Sequence, residues 1–222
     1  KLGFYHAFLH DNYTAEKALE GLGEHFEAGE LTFKVWPCCF GTHSAITAAI
    51  SIMREEGISA EDVRHVQVYI GAQNRMLCEP LEQRRNPETS IIGKFSIPFT
   101  LATTLVKGNV DLTSFSYESL RDEKVRALAA KVDYTYVEEW QRGKETYTKV
   151  VMDTTKGTFE RFVTSPFGTP ENPMDDDMFD QKFDACAKSA LNPKSQRELD
   201  ELKEAIRALD TLDDISEFTR LL

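Results

Sequence analysis

The sequence predicts an α+β protein, with helices packed on a small, mostly antiparallel sheet and further helices at both ends. Three observations lead there. Apolar residues recur at helical spacing in 42–57 and 96–108, each stretch opened by a hydroxyl cap and closed by glycine. Apolar and polar residues alternate with period two in 65–70 and again between 132 and 164. Beyond 175 only helical periodicity remains. These patterns divide the chain into a helical segment 1–29, an α+β domain 30–165, and C-terminal helices 166–222 that belong with the first segment in an all-α domain.

In chain order, 14–26 predicts a helix capped by Thr14, with Ala18, Leu19, Leu22 and Phe26 on one side. In 42–57, Thr42 is the expected cap, Ile46, Ala49, Ile50 and Met53 the apolar stripe, and Gly57 the stop. Val66, Val68 and Ile70 alternate with polar residues as a half-buried strand. Residues 71–90 are polar, contain two prolines, show no period and predict a long loop. A helix over 96–108 has Ser96 as cap, Pro98 in its first turn and Gly108 past its end. A short helix over 122–132 runs into strands at 132–140, 146–153 and 158–164, read as a meander whose last two strands form a hairpin. The Pro/Gly-rich 165–173 reads as a linker, followed by helices over 175–190, 195–210 and 213–222.

Composition sets the function classes aside in turn. With 26 Lys and Arg against 37 Asp and Glu, a net charge of −11 argues against nucleic acid or an anionic membrane surface as partner. No apolar run approaches a membrane span, and the whole reads as soluble. The opening KLGFYHAF lacks an initiator Met and reads as chain already inside a fold: a fragment, a processed piece or a second subunit. Cysteines number four, too few for a secreted disulfide scaffold, so free thiols in a reducing cytoplasm are expected.

The chemistry-bearing stretch is 34-KVWPCCFGTHSA-45. A zinc site at Cys38, Cys39 and His43 lacks the second ligand pair such sites require. A Cys39–His43 nucleophile pair at a helix start is one reading, and a thiol-dependent enzyme of that kind predicts inactivation by alkylation that substrate prevents. The plainer alternative, favoured by residue type, packs one thiol in the core, puts the other in a turn, and gives His43 a local hydrogen bond. Lys34 beside a helix N-terminus calls for an anion between them, or else lays its stem along Trp36 in solvent. Arg75, Arg84, Arg85 and Lys94 gather basic charge suited to carboxylates, or pair with Glu79, Glu82 and Glu88. Asp175, Asp176 and Asp177 are read as a helix start rather than a metal site. There is no GxGxxG, P-loop, HExxH or GxSxG, so nucleotide, zinc-protease and serine-hydrolase readings lack support.

The ordered set 34-KVWPCCFGTHSAITAAI-50, 73-QNRMLCEP-80, 94-KFSIPFTLATTLVKG-108 and 168-GTPENPM-174 resembles the MmgE/PrpD family over nearly the whole chain. That family includes 2-methylcitrate dehydratase, cis-aconitate decarboxylase and iminodisuccinate epimerase. The resemblance implies a helical domain interrupted by an α+β lid, which would be 30–165 here. It also implies a cofactor-free and metal-free site for a small di- or tricarboxylate, and a homo- or hetero-oligomer. The implied chemistry is proton removal next to a carboxylate, as in a carbon–oxygen lyase of the dehydratase type. By position, the resemblance sets Lys34 in the pocket lining and Cys39 and His43 where members carry histidines, so these three are expected to be catalytic. Together with the basic loop, Lys34, Arg75, Lys94 and the helix-cap Ser96 are expected to bind substrate. Decarboxylase-like members place a histidine where this chain has Cys39, which leaves dehydration, epimerisation or isomerisation. Members also carry a helical region before the point corresponding to Lys1, so the chain is expected to act with that half or with a separate subunit bearing it. The alternative is a non-catalytic subunit or interaction module of such an assembly, with neither nucleic acid nor membrane as partner.

Overall fold

A computed structural model describes residues 3–10, 12–14 and 16–222, divided into two units, Lys1–Thr32 and Phe33–Leu222. The reading of the opening residues as chain inside a larger fold falls partly on Lys1 and Leu2, outside the described residues.

In the first unit, α1 spans Phe4–Leu9, and 3-10 turns cover Glu16–Ala18 and Glu27–Glu30. The helix predicted over 14–26 is not formed, and Ala15 within it lies outside the described residues. Gly21 and Gly23 take φ of 70° and 86°, a left-handed backbone that ends any helix. The stripe that periodicity placed on one side, Leu19, Leu22 and Phe26, is exposed.

The second unit is built around two buried helices on one sheet. Helix α2, His43–Glu56, is buried continuously from His43 to Ile50 and ends on Gly57 at φ 61°. Strand β1 follows at Val63–Ile70. Where a period-free loop was expected, the chain forms a 3-10 helix Ala72–Leu77, then α3 Leu81–Arg85 and α4 Ser90–Lys94. Helices this short complete too few turns to leave a period in the sequence. Helix α5, Ile97–Lys107, starts on Ser96 and ends on Gly108 at φ 77°. Its buried Thr100, Thr103 and Thr104 hydroxyls donate to carbonyls four residues back at 2.7, 2.8 and 2.8 Å, so these three are satisfied within the helix. Helix α6, Glu123–Ala129, capped by Asp122, leads into β2 at Val132–Tyr136.

Strands β3, Thr148–Thr154, and β4, Gly157–Val163, form the expected hairpin. Thr154 Oγ1 closes its turn, donating to Gly157 O at 2.7 Å and accepting from Lys156 N at 3.1 Å. The meander is corrected: the four-stranded order is β2-β1-β3-β4, with β2 parallel to β1 and not paired with β3. A parallel pair needs a crossover, and the helices between β1 and β2 provide it. Val66, Val68, Ile70, Val150 and Met152 point into the helix layer, each with no exposed surface.

The stretch read as a linker, 165–173, is folded in. Phe167 N donates to Thr47 Oγ1 at 3.3 Å, and Phe33 N to Gly168 O at 2.8 Å. Three helices follow, α7 Asp176–Lys188, α8 Gln196–Arg207 and α9 Ile215–Thr219. Leu199 and Leu202 are buried, while Lys203–Asp184 at 2.9 Å and Arg207–Asp180 at 2.8 Å tie α8 to α7. Among the described residues no helix is long and apolar enough to cross a membrane.

Candidate active site

The 34–43 segment is a turn held on three sides. Trp36 is buried and donates its indole N–H to Asn109 Oδ1 at 2.8 Å. Cys39 N donates to Lys94 O at 2.8 Å, joining the turn to the end of α4. Gly41 lies against the 3-10 helix Ala72–Leu77, where an added Cβ would meet Asn74 Oδ1 and Leu77 Cδ1, each at 2.6 Å. Thr42 is not the expected side-chain cap of α2, because its hydroxyl donates to Cys39 O at 2.8 Å. That direction requires the Cys38 thiol, 3.0 Å from the same oxygen, to be the donor. Burial pushes the Cys38 thiol up to about 12, against the Thr42 contact and the nearby Lys34 and Lys94 charges. Cys38 is therefore a protonated core thiol, and Cys39 is the half-exposed member of the pair.

His43 opens α2 with no exposed surface, its ring between Trp36 at 5.0 Å and Phe40 at 5.1 Å, centroid to centroid. Among the described residues neither ring nitrogen has a hydrogen-bond partner. Burial lowers its pKa to about 4, helped by the charges of Lys34 and Lys182 and opposed by the Trp36 and Cys38 backbone groups. The ring is neutral at physiological pH.

Lys34 is exposed, and Lys94 is partly buried with Nζ 5.6 Å from the Phe115 ring centroid. Among the described residues neither has an ion-pair partner, and both charges reach the Cys38 thiol. Two unneutralised cations thus flank the Cys38–Cys39 turn. The other basic residues differ. Arg75 is two-thirds exposed and bonded through Nε to Glu79 Oε2 at 2.5 Å. Arg84 Nε donates to Glu79 O at 3.1 Å. Arg85 is bound to Val132 O at 2.8 Å, Asp133 at 2.6 Å and Glu82 at 3.0 Å.

The MmgE/PrpD C-terminal domain matches residues 36–208, most of the chain. The chain belongs to the MmgE/PrpD family. It is 26% identical over 235 aligned positions to a cis-aconitate decarboxylase of Aspergillus terreus (strain NIH 2624 / FGSC A1156), covering 99% of this chain and 47% of that protein. A second Aspergillus terreus cis-aconitate decarboxylase matches with the same identity and coverage. The cis-aconitate decarboxylase-like protein oryM of Aspergillus oryzae (strain ATCC 42149 / RIB 40) is 24% identical with that same coverage. The chain spans about half the length of the curated relatives it matches.

In this MmgE/PrpD chain, then, Cys39 is joined to Lys94 through the backbone, and the Lys34 charge acts on both Cys38 and His43. Ser96 is buried below Lys94, its hydroxyl accepting from Phe99 N at 3.0 Å and donating to Arg84 O at 2.5 Å. Arg75 sits on the neighbouring 3-10 helix with its charge matched by Glu79. Sequence reading missed the Glu79 centre, where Oε1 accepts from Tyr134 at 2.8 Å and Tyr136 at 2.6 Å. These bonds, with Arg75, hold the Glu79 carboxyl down at about 2, Tyr136 contributing most. The available signal was the i, i+2 spacing of the tyrosines, which places both on one face of a strand. Among the described residues no three His, Cys, Asp or Glu side chains group as a metal site.

Proposed function

We propose that this domain forms the lid-side wall of a polycarboxylate site and takes part in cofactor-independent lyase or isomerase chemistry. The observation that carries this is the pair of unpaired lysines at the Cys38–Cys39 turn of a chain with net charge −11. Unpaired cations held at a fixed turn suit an anionic ligand, and family membership makes a small di- or tricarboxylate the first choice. In this reading Lys34 and Lys94 hold substrate carboxylates and stabilise the enolate-like charge left when a proton leaves the adjacent carbon. Loss of a β-hydroxyl as water then completes a dehydration, and return of the proton to the other face an epimerisation. In this reading Cys39, partly exposed at the same turn, takes that proton and returns it to the departing hydroxyl or to the other face of the carbon.

His43, neutral and enclosed, positions the turn. Ser96 sets the start of α5 behind Lys94, and Arg75 reaches a substrate only by leaving Glu79. Residues 30–165 act as the lid, while 1–29 and 166–222 belong to the helical domain. The opposite wall comes from the portion of such proteins that this chain does not align with, on the same polypeptide or on a separate subunit.

A second reading, decarboxylation of a cis-aconitate-like acid, is favoured by the match of nearly the whole chain to proteins bearing that name. The test is turnover of citrate-, aconitate- and succinate-class acids by the complete protein, with water loss, CO2 release and epimer formation followed separately. Lys34→Ala is expected to lower kcat/KM about 100-fold. Unchanged kinetics remove Lys34 from the site, and no turnover of any acid favours a non-catalytic module.

A further inference from the structure

A cleft of about 450 Å³ opens between α2, the connection after α5, and α7, in the size range of small-molecule sites. Lys34, Cys39 and Lys94 are not among its lining residues. Its apolar end is made by Trp36, Pro37, Ile50, Phe167 and Met178. Its cations are Arg54 of α2 and Lys182 of α7, and among the described residues neither has an ion-pair partner.

Three carboxylates also line it, and two are engaged. Asp111 Oδ1 accepts from the Thr113 hydroxyl at 2.7 Å, Ser114 N at 2.9 Å and the Ser114 hydroxyl at 3.0 Å. Asp175 Oδ1 accepts from Met178 N at 2.8 Å, capping α7. Asp177 alone has no partner among the described residues. Asp111 answers two hydroxyls and a backbone N–H, Asp175 a backbone N–H, and neither pairs with Arg54 or Lys182.

We propose that this cleft binds a small monocarboxylate with an apolar body, its acid group between Arg54 and Lys182 and its body against Pro37 and Phe167. Two free cations suit one carboxylate, which can bind a guanidinium in bidentate fashion. The three aspartates repel further negative charge, so polycarboxylates are excluded. The cleft adjoins the 34–43 turn through Val35, Trp36 and Pro37 without taking in Lys34, Cys39 or Lys94, and the proposal does not rest on the function proposed for them.

The experiment is calorimetric titration of the full-length protein carrying this chain with 3-phenylpropionate, its neutral isostere 3-phenylpropanol, and citrate. Saturable binding of the acid is expected, with no binding of the alcohol and no displacement by citrate. Arg54→Met and Lys182→Met, both surface changes on formed helices, should each weaken the acid at least about tenfold. Lys34→Ala should leave it unchanged. The proposal is overturned if the acid produces no saturable heat, if the alcohol binds as tightly, or if both methionine variants bind like the parent. Loss of binding in Lys34→Ala, or displacement by citrate, would also overturn it by placing the ligand elsewhere.

Discussion

His43 carries two unpartnered ring nitrogens into a site with no exposed surface, between two aromatic rings and near two lysines. A proton added there is opposed first by burial and then by the Lys34 charge, and the Trp36 and Cys38 backbone groups offset only part of that. Its pKa falls from an ordinary 6.5 to about 4 in the folded chain, so the unfolded chain binds the extra proton first as pH drops. The stability contributed by the neutral ring is therefore full above about pH 6.5 and is lost progressively down to about pH 4. Integrated over that window the loss is about 3 kcal/mol. Urea unfolding between pH 7.5 and 4 should show this slope in the parent and not in His43→Leu. An identical slope in both would mean that the ring is not held neutral by its surroundings. Cys38 and Cys39 show how far residue type alone could reach. Their sequence reading left open which thiol was in the core, because neighbouring side chains diverge and only the fold decides which one turns inward.

At the element scale, the Gly168 turn holds down the segment that carries Lys34. Gly168 has φ 94°, and a Cβ there would stand 2.1 Å from Phe33 O, a backbone atom that cannot swing aside. Gly168→Ala combines a strained backbone with that clash, and a loss of at least about 2 kcal/mol is expected in chemical denaturation. An unchanged midpoint would show that the Phe33–Gly168 pairing does not hold that segment. This element was read as a linker because proline and glycine mark turns without saying whether a turn is solvated or enclosed. Helices α2 and α5 were legible to within a residue, since apolar spacing and a glycine stop agreed in both, even though only Ser96 caps through its side chain. The failed helix at 14–26 had a stripe as good, but that stripe spans Gly21 and Gly23, whose left-handed backbone breaks it. Arg85 was legible as a cation and not as a strut, because its partners Val132 and Asp133 lie far along the chain.

For the whole molecule, alternation identified every strand but could not order them, since period two says which face is buried and nothing about which edge is paired. The observed order puts β1 in the middle although it is made first, with β2 and β3 on either side. A chain stopped after residue 145 retains α2, α5, β1 and β2 yet leaves one edge of β1 open. It is expected to scatter light and to unfold without a cooperative transition, whereas a chain stopped after residue 164 completes the sheet. Equal, cooperative unfolding of the two would show that β3 and β4 are not needed by the core. The same order sets a timetable during synthesis. Some 80 residues separate the end of β1 from the start of β3, and at roughly 5–20 residues per second the ribosome takes roughly 4–16 s to supply them. Through that interval the nascent strand is a sticky, half-dressed edge, and shielding by a chaperone matters most there.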